Sequence, residues 1–165
     1  MPKPANTPKE FNHLPVAGPA RRLMALMYDA LIVGGLWMVY GFLAIMVAST
    51  VGGLNCNPEA MDYTPCVGGP LYRLGLLAVT GGYLFWSWRA AGQTIGMRAW
   101  RLMVANNNGV QLSWRQCIVR AVVATASLAC LGLGFFWGYF RKDGATWQDL
   151  ASDSEMRILP KKKKP

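Results

Sequence analysis

Apolar residues in this chain gather into three long runs nearly free of charge. The first extends from Leu23 to about Val51, ends at Gly52-Gly53, and contains Asp29 as its only charged residue. The second extends from Leu71 to Trp88, with Arg73 near its start and Trp86 and Trp88 at its end. The third extends from Gln116 to Phe140 and is interrupted by Leu131-Gly132-Leu133-Gly134. A bilayer core about 30 Å thick requires about 20 apolar residues of helix. The runs therefore predict an all-α integral membrane protein with two full transmembrane helices. The third run is read as a Gly-broken re-entrant helical hairpin, with a third full span as the alternative.

Polar connections complete this layout. Residues 1–19 are proline-rich, lack the apolar stretch of a cleavable signal peptide, and are expected to form a disordered cytoplasmic tail. Residues 20–159 form the expected transmembrane domain, and residues 160–165 a basic tail that can touch anionic lipid headgroups through Lys161–Lys164. Between the second and third runs, Leu102-Met103-Val104 precedes Asn106-Asn107-Asn108-Gly109 and then Val110-Gln111-Leu112. Asn-Gly is a strong hairpin signal, so a small surface hairpin or interfacial turn is expected here.

Charge sets the orientation. Lys3, Lys9, Arg21 and Arg22 precede the first run, and Arg89, Arg98, Arg101 and Arg115 lie between the second and third. The loop from Gly53 to Pro70 holds Glu59 and Asp62 but no Lys or Arg. Positive residues favour the cytoplasmic side. The N-terminus is thus expected inside and this loop outside, as in a multi-pass protein of a bacterial cytoplasmic membrane. Three full crossings would place Arg141, Lys142, Arg157 and four terminal lysines outside, whereas a re-entrant third run keeps the C-terminus inside. Cys56 and Cys66 lie in the expected outer loop and either pair as a disulfide or stay as two thiols. Cys117 and Cys130 read as small packing residues.

Composition narrows the chemistry. The chain is 53% hydrophobic and only 15% charged, with a net charge of +9. Because the basic residues flank apolar runs, the charge is read as topology, and no nucleic-acid partner is expected. His13 is the one histidine and lies in the tail, with no metal-ligand spacing, nucleophile elbow or phosphate loop in the chain. No enzymatic activity, cofactor or metal is expected. The informative residue is Asp29, an ionisable group about two turns inside an apolar run, which ordinarily has a partner or a function. Arg22, two helical turns earlier on the same face, and Arg120 are its candidate partners. Asp149 follows Thr146 and is expected to cap or clamp a turn near Arg98 or Arg101. Gln93 and Thr94, after Gly92, either bond backbone freed at a helix end or line a polar opening.

These residues carry a resemblance. Arg22-Leu-Met-Ala25-Leu-Met-Tyr-Asp29 resembles the opening of the RDD family, named for one arginine and two aspartates, and Asp149 matches the second aspartate. Gly92-Gln93-Thr94-Ile95-Gly96-Met97-Arg98 is similar to the family's GQT-x-G-x-R segment. Leu112-Ser113-Trp114-Arg115 with Arg120, Leu131–Phe135, and Thr146-Trp147-Gln148-Asp149 continue the likeness in order. Gln148 stands where the family usually has histidine. The resemblance implies a membrane protein for which transport has been suggested, including cation/proton exchange in some members. Two function classes follow. The first is a transport module, oligomeric because one chain shows no internal repeat, in which Arg22, Asp29, Arg120 and Asp149 handle a cation or proton. The second is a non-transporting assembly or accessory protein in which the same network is structural. The lipid bilayer is the partner common to both.

Overall fold

The computed structural model describes residues 11, 13–52, 67–106, 108, 111–141 and 144–160. The chain is mostly helical. Helices α1 (Pro19–Val51) and α2 (Pro70–Ala91) take up the first two apolar runs, and the short helix α3 (Ile95–Ala99) follows. Strand β1 (Leu102–Asn106) leads to α4 (Trp114–Ala129), α5 (Leu133–Phe140), α6 (Trp147–Ala151) and β2 (Ser154–Ile158). Among the described residues, α1 is the one helix both long and apolar enough to cross a membrane; its 33 residues measure about 50 Å at 1.5 Å per residue. The 22-residue α2 has the length but a lower hydropathy.

The third run is a bent helix pair. Its two helices, α4 and α5, meet at 96°, an elbow rather than the antiparallel return the sequence suggested. The break falls at Leu131 and Gly132, both with positive φ (57° and 78°). Gly134, expected to help make the turn, lies inside α5 instead. A Cβ on Gly134 would come within 2.4 Å of Ser127 Oγ and 2.9 Å of Trp147. One turn later, a Cβ on Gly138 would come within 2.9 Å of the Gly144 carbonyl oxygen. The two glycines, four residues apart, share the face that seats α5 against its neighbours, while Phe136, Trp137, Tyr139 and Phe140 stay exposed.

Two compact units divide the chain: residues 30–83, and residues up to 29 together with 84–165. In the first, Trp37 Nε1 donates to Thr80 Oγ1 at 2.9 Å, and the rings of Tyr40 and Tyr72 lie 5.2 Å apart. The close approach occurs at Gly75, where a Cβ would come within 1.9 Å of the Tyr40 hydroxyl. A Cβ on Gly34, Gly35 or Gly82 would face open space.

The second unit is built on a two-stranded antiparallel sheet. The strand expected at Leu102–Val104 is present, but its partner is β2, with Leu102 opposite Ile158 and Asn106 opposite Ser154. β1 thus pairs over a long range, and Asn108 N–H donates to Asn106 Oδ1 at 3.0 Å in a turn after it, while Asn107, Gly109 and Val110 of the expected hairpin lie outside the described residues. Alternation along β1 serves two clusters. Leu102 and Val104 pack with Ala17, Ala25, Trp88, Met97 and Leu112, whereas Met103 and Ala105 pack with Phe11. The N-terminal tail is accordingly not free throughout. Phe11 and Ala17 are fully buried. Ala17 N–H donates to the Met156 carbonyl, and the Pro15 carbonyl accepts from Ile158 N–H, both at 2.9 Å. Backbone groups on the open edge of β2 supply the partners that make this order worthwhile. Cys56, Cys66 and the terminal lysines lie outside the described residues.

The glycine contacts give a differential expectation. Gly134→Ala should lower the unfolding free energy by about 1–3 kcal/mol, the cost of forcing a methyl into occupied space. Gly82→Ala should cause no loss beyond about 0.5 kcal/mol. Thermal unfolding of the detergent-solubilised protein checks both; equal midpoints for the two variants would refute the seating of α5.

Candidate functional site

On α1, the buried residues are Arg22, Ala25 and Asp29, at the i, i+3, i+7 spacing of one helical face. Each of its two charged members meets a different part of the chain. Sequence joined Asp29 to Arg22 or Arg120; the structure gives both arginines to Asp149 instead.

Asp29 takes up the start of α3. Its Oδ2 accepts from Thr94 Oγ1 at 2.5 Å and its Oδ1 from Gly96 N–H at 2.9 Å. Thr94 is also the N-cap of α3, accepting from Met97 N–H at 3.2 Å. A Cβ on Gly96 would come within 2.3 Å of the Ala25 carbonyl and 2.8 Å of the Asp29 carboxyl carbon, so only glycine lets the two elements meet. Gly92, at a φ of 64°, ends α2, and its carbonyl accepts from Val104 N–H at 2.8 Å. Gln93 Nε2 donates to the Leu102 carbonyl at 2.6 Å. The GQT-x-G segment thus works as backbone carpentry: each residue ties the α2–α3 turn either to β1 or to α1. Thr94 thus bonds a backbone N–H at the start of α3, whereas Gln93 bonds the carbonyl of a strand residue. Arg98 is exposed in the last turn of α3 and stands outside the polar cluster.

Asp149 takes up the arginines. Its Oδ1 accepts from Arg120 Nη1 at 2.6 Å, and its Oδ2 from Arg22 Nη1. The same Oδ2 accepts from Thr146 Oγ1 at 2.9 Å and Thr146 N–H at 3.3 Å, closing a capping box at the start of α6. The expected cap is present; the expected partners Arg98 and Arg101 are not. Arg22 Nε donates to the Ala17 carbonyl at 2.9 Å, so one guanidinium links the N-terminal segment to α6. Arg120 Nη1 also donates to Ser154 Oγ at 2.7 Å, and its guanidinium lies 5.8 Å from the Trp88 ring centroid. Ser152 donates to the Gln148 carbonyl at 2.5 Å. Its single proton is thereby used, so Ser154 donates across the 2.7 Å contact to Ser152.

All three charged groups are nearly sealed: Arg22 is 4% exposed, Arg120 3% and Asp149 3%. Burial by itself would raise the Asp149 carboxyl pKa. The charges of Arg120 and Arg22 and their hydrogen bonds outweigh it, holding the group below its ordinary value. Removing one partner from such a pair leaves a charge buried without compensation, which costs about 3–5 kcal/mol.

The participants that sequence missed are Ser154, which had no signal, and Gly96, whose steric role depends on a helix 67 residues away in sequence. Among the described residues, no group of three His, Cys, Asp or Glu side chains is placed to hold a metal ion. The sequence model of the RDD family matches residues 16–153, most of the chain, and spans both carboxylate sites. No curated protein and no solved structure matches the chain.

A depressed carboxyl pKa stabilises the fold above the ordinary carboxylate range near pH 4, and that contribution is lost as pH falls through the lower folded value. The unfolding midpoint of the wild type should therefore hold steady from pH 8 to 5 as far as Asp149 is concerned and drop below about pH 4. Asp149→Asn should start about 3–5 kcal/mol less stable and lack that part of the acid drop. Parallel acid limbs in the two proteins would contradict the assignment.

Proposed function

The chain belongs to the RDD family, whose members are membrane-associated, and on that premise we propose that it is a non-transporting assembly or accessory protein of a bacterial cytoplasmic membrane. One observation carries this reading: every oxygen of both carboxylates accepts a hydrogen bond from another part of the same chain. Asp149 spends its charge on two arginines, and Asp29 spends its acceptors on the α2–α3 turn. Groups engaged in this way favour bracing over carrying a cation across the bilayer.

In this proposal α1 and α2 cross the membrane, with the residues before Arg22 and after Trp88 on the basic, cytoplasmic side. The α4–α5 elbow enters the bilayer without crossing it, which leaves the C-terminus inside. The partner is the bilayer and, through the protein's surface, another membrane protein or a second copy of the chain. No enzymatic activity and no nucleic-acid binding belong to the proposal.

Asp29 gives specific support to the second reading, cation/proton exchange. It is a carboxylate set into the long apolar helix α1, and it accepts from two neutral donors, Thr94 Oγ1 and Gly96 N–H. Proteoliposomes holding wild type or Asp29→Asn separate the two readings. The expected result is no sodium- or potassium-dependent pH change from well-inserted wild type. A flux that vanishes in folded Asp29→Asn would overturn the accessory reading in favour of exchange.

A further inference from the structure

An open groove of about 340 Å³ runs between the first two turns of α1 and the α4–α5 elbow. Its walls are Leu23 and Leu26 on one side and Leu128, Leu131, Phe135 and Phe136 on the other. Leu131 is 90% exposed at the positive-φ break, so apolar surface is presented outward where the chain could instead have turned it in. From Pro19 to Leu26 the groove follows α1 for about 10 Å.

One end is basic. Arg22 lines the groove there, Arg21 beside it is exposed, and the first turn of α1 has no acidic residue. Among the described residues, Arg22 donates through Nε and Nη1, which leaves Nη2 for an acceptor from outside the chain. The two arginines bring two positive charges, Asp149 one negative charge shared with Arg120, and the chain as a whole is at +9. An occupant must therefore be apolar along most of its length and negative at one end.

We propose that this groove holds one acyl chain of an anionic phospholipid, with its phosphate at Arg21 and Arg22. The site goes beyond the accessory reading and requires of it only that the protein be embedded in a membrane. A zwitterionic lipid offers the same chain but no net charge to the arginines. A free anion offers the charge but leaves the leucine and phenylalanine walls uncovered. The position of Arg22 gives the site a consequence. Lipid phosphate would bear on the guanidinium that also holds Asp149 and Ala17, so occupancy should stabilise the fold.

Native mass spectrometry of the purified full chain tests this, titrating phosphatidylglycerol, phosphatidylcholine of the same acyl chains, and glycerophosphoglycerol, which has none. Phosphatidylglycerol should add as one tightly held equivalent and raise the unfolding midpoint, with phosphatidylcholine much weaker and the chainless headgroup not retained. Arg21→Gln should weaken the phosphatidylglycerol complex about fivefold, as expected for one surface arginine near an anionic lipid. Ala20→Trp, which fills the groove from α1, should abolish it. Equal retention of the two phospholipids would reduce the groove to ordinary lipid contact and overturn the proposal. Retention of the chainless headgroup would overturn it in favour of a free-anion site, and unchanged binding by folded Ala20→Trp would place the lipid elsewhere. If Ala20→Trp does not fold, the Arg21→Gln shift and the headgroup comparison still decide. Flux through proteoliposomes bears on the accessory reading alone, so failure of one leaves the other standing.

Discussion

A carboxylate removed from water beside two guanidinium groups is stable only if the surrounding chain holds all three in place. Asp149 is in that position, and its surroundings can be read as the means of holding it. Arg22 comes from the first turn of α1 and Arg120 from the middle of α4, while Asp149 itself caps α6 through Thr146. Arg22 reaches on to Ala17, whose N–H pairs with β2, and Arg120 reaches Ser154 in the same strand. Elements far apart in sequence therefore meet at one charge. Desolvation makes such a knot costly to form, and costlier still to leave with one member missing.

Asp29 makes a smaller knot two turns along α1. It trades hydration for a hydroxyl and a backbone N–H at the start of α3, and Gly96 is the steric condition for that exchange. The two knots explain why a helix apolar enough to span a membrane carries an arginine and an aspartate on one face. Neither residue has to face lipid, since both turn toward a folded, sheet-bearing unit. Apolar side chains elsewhere on the same helix, such as Leu31 and Met38, are exposed.

Much of this was legible in the sequence. Apolar runs gave the long helices, glycine gave the elbow, and Thr146 with Asp149 three residues later gave the cap. Burial depth also singled out Asp29 and Arg22 as consequential. Pairing was less legible, because a charge pattern shows which residues need partners and not which elements fold together. Arg22 was matched to Asp29 by helical spacing, but separation along one helix of about 10 Å is too long for a direct contact. The partner from residue 149 arrives through tertiary structure. The β1–β2 pairing was hidden for the same reason: a local Asn-Gly signal stood beside a strand whose true partner lies about 50 residues away. Phe11 sits in a proline-rich neighbourhood that carries no core signal, and its burial against Met103 and Ala105 depends on the β1–β2 sheet, which no local pattern announces.

The most direct measurement is hydrogen exchange, followed by mass spectrometry, on the detergent-solubilised wild type and Arg120→Gln. If one buried charge ties these elements together, the variant should lose backbone protection in concert at residues 14–22, β1, α6 and β2, with the exchange of residues 30–48 unchanged. Loss confined to α4 around residue 120, with β1, β2 and the N-terminal segment still protected, would contradict the central role given to Asp149 and its two arginines.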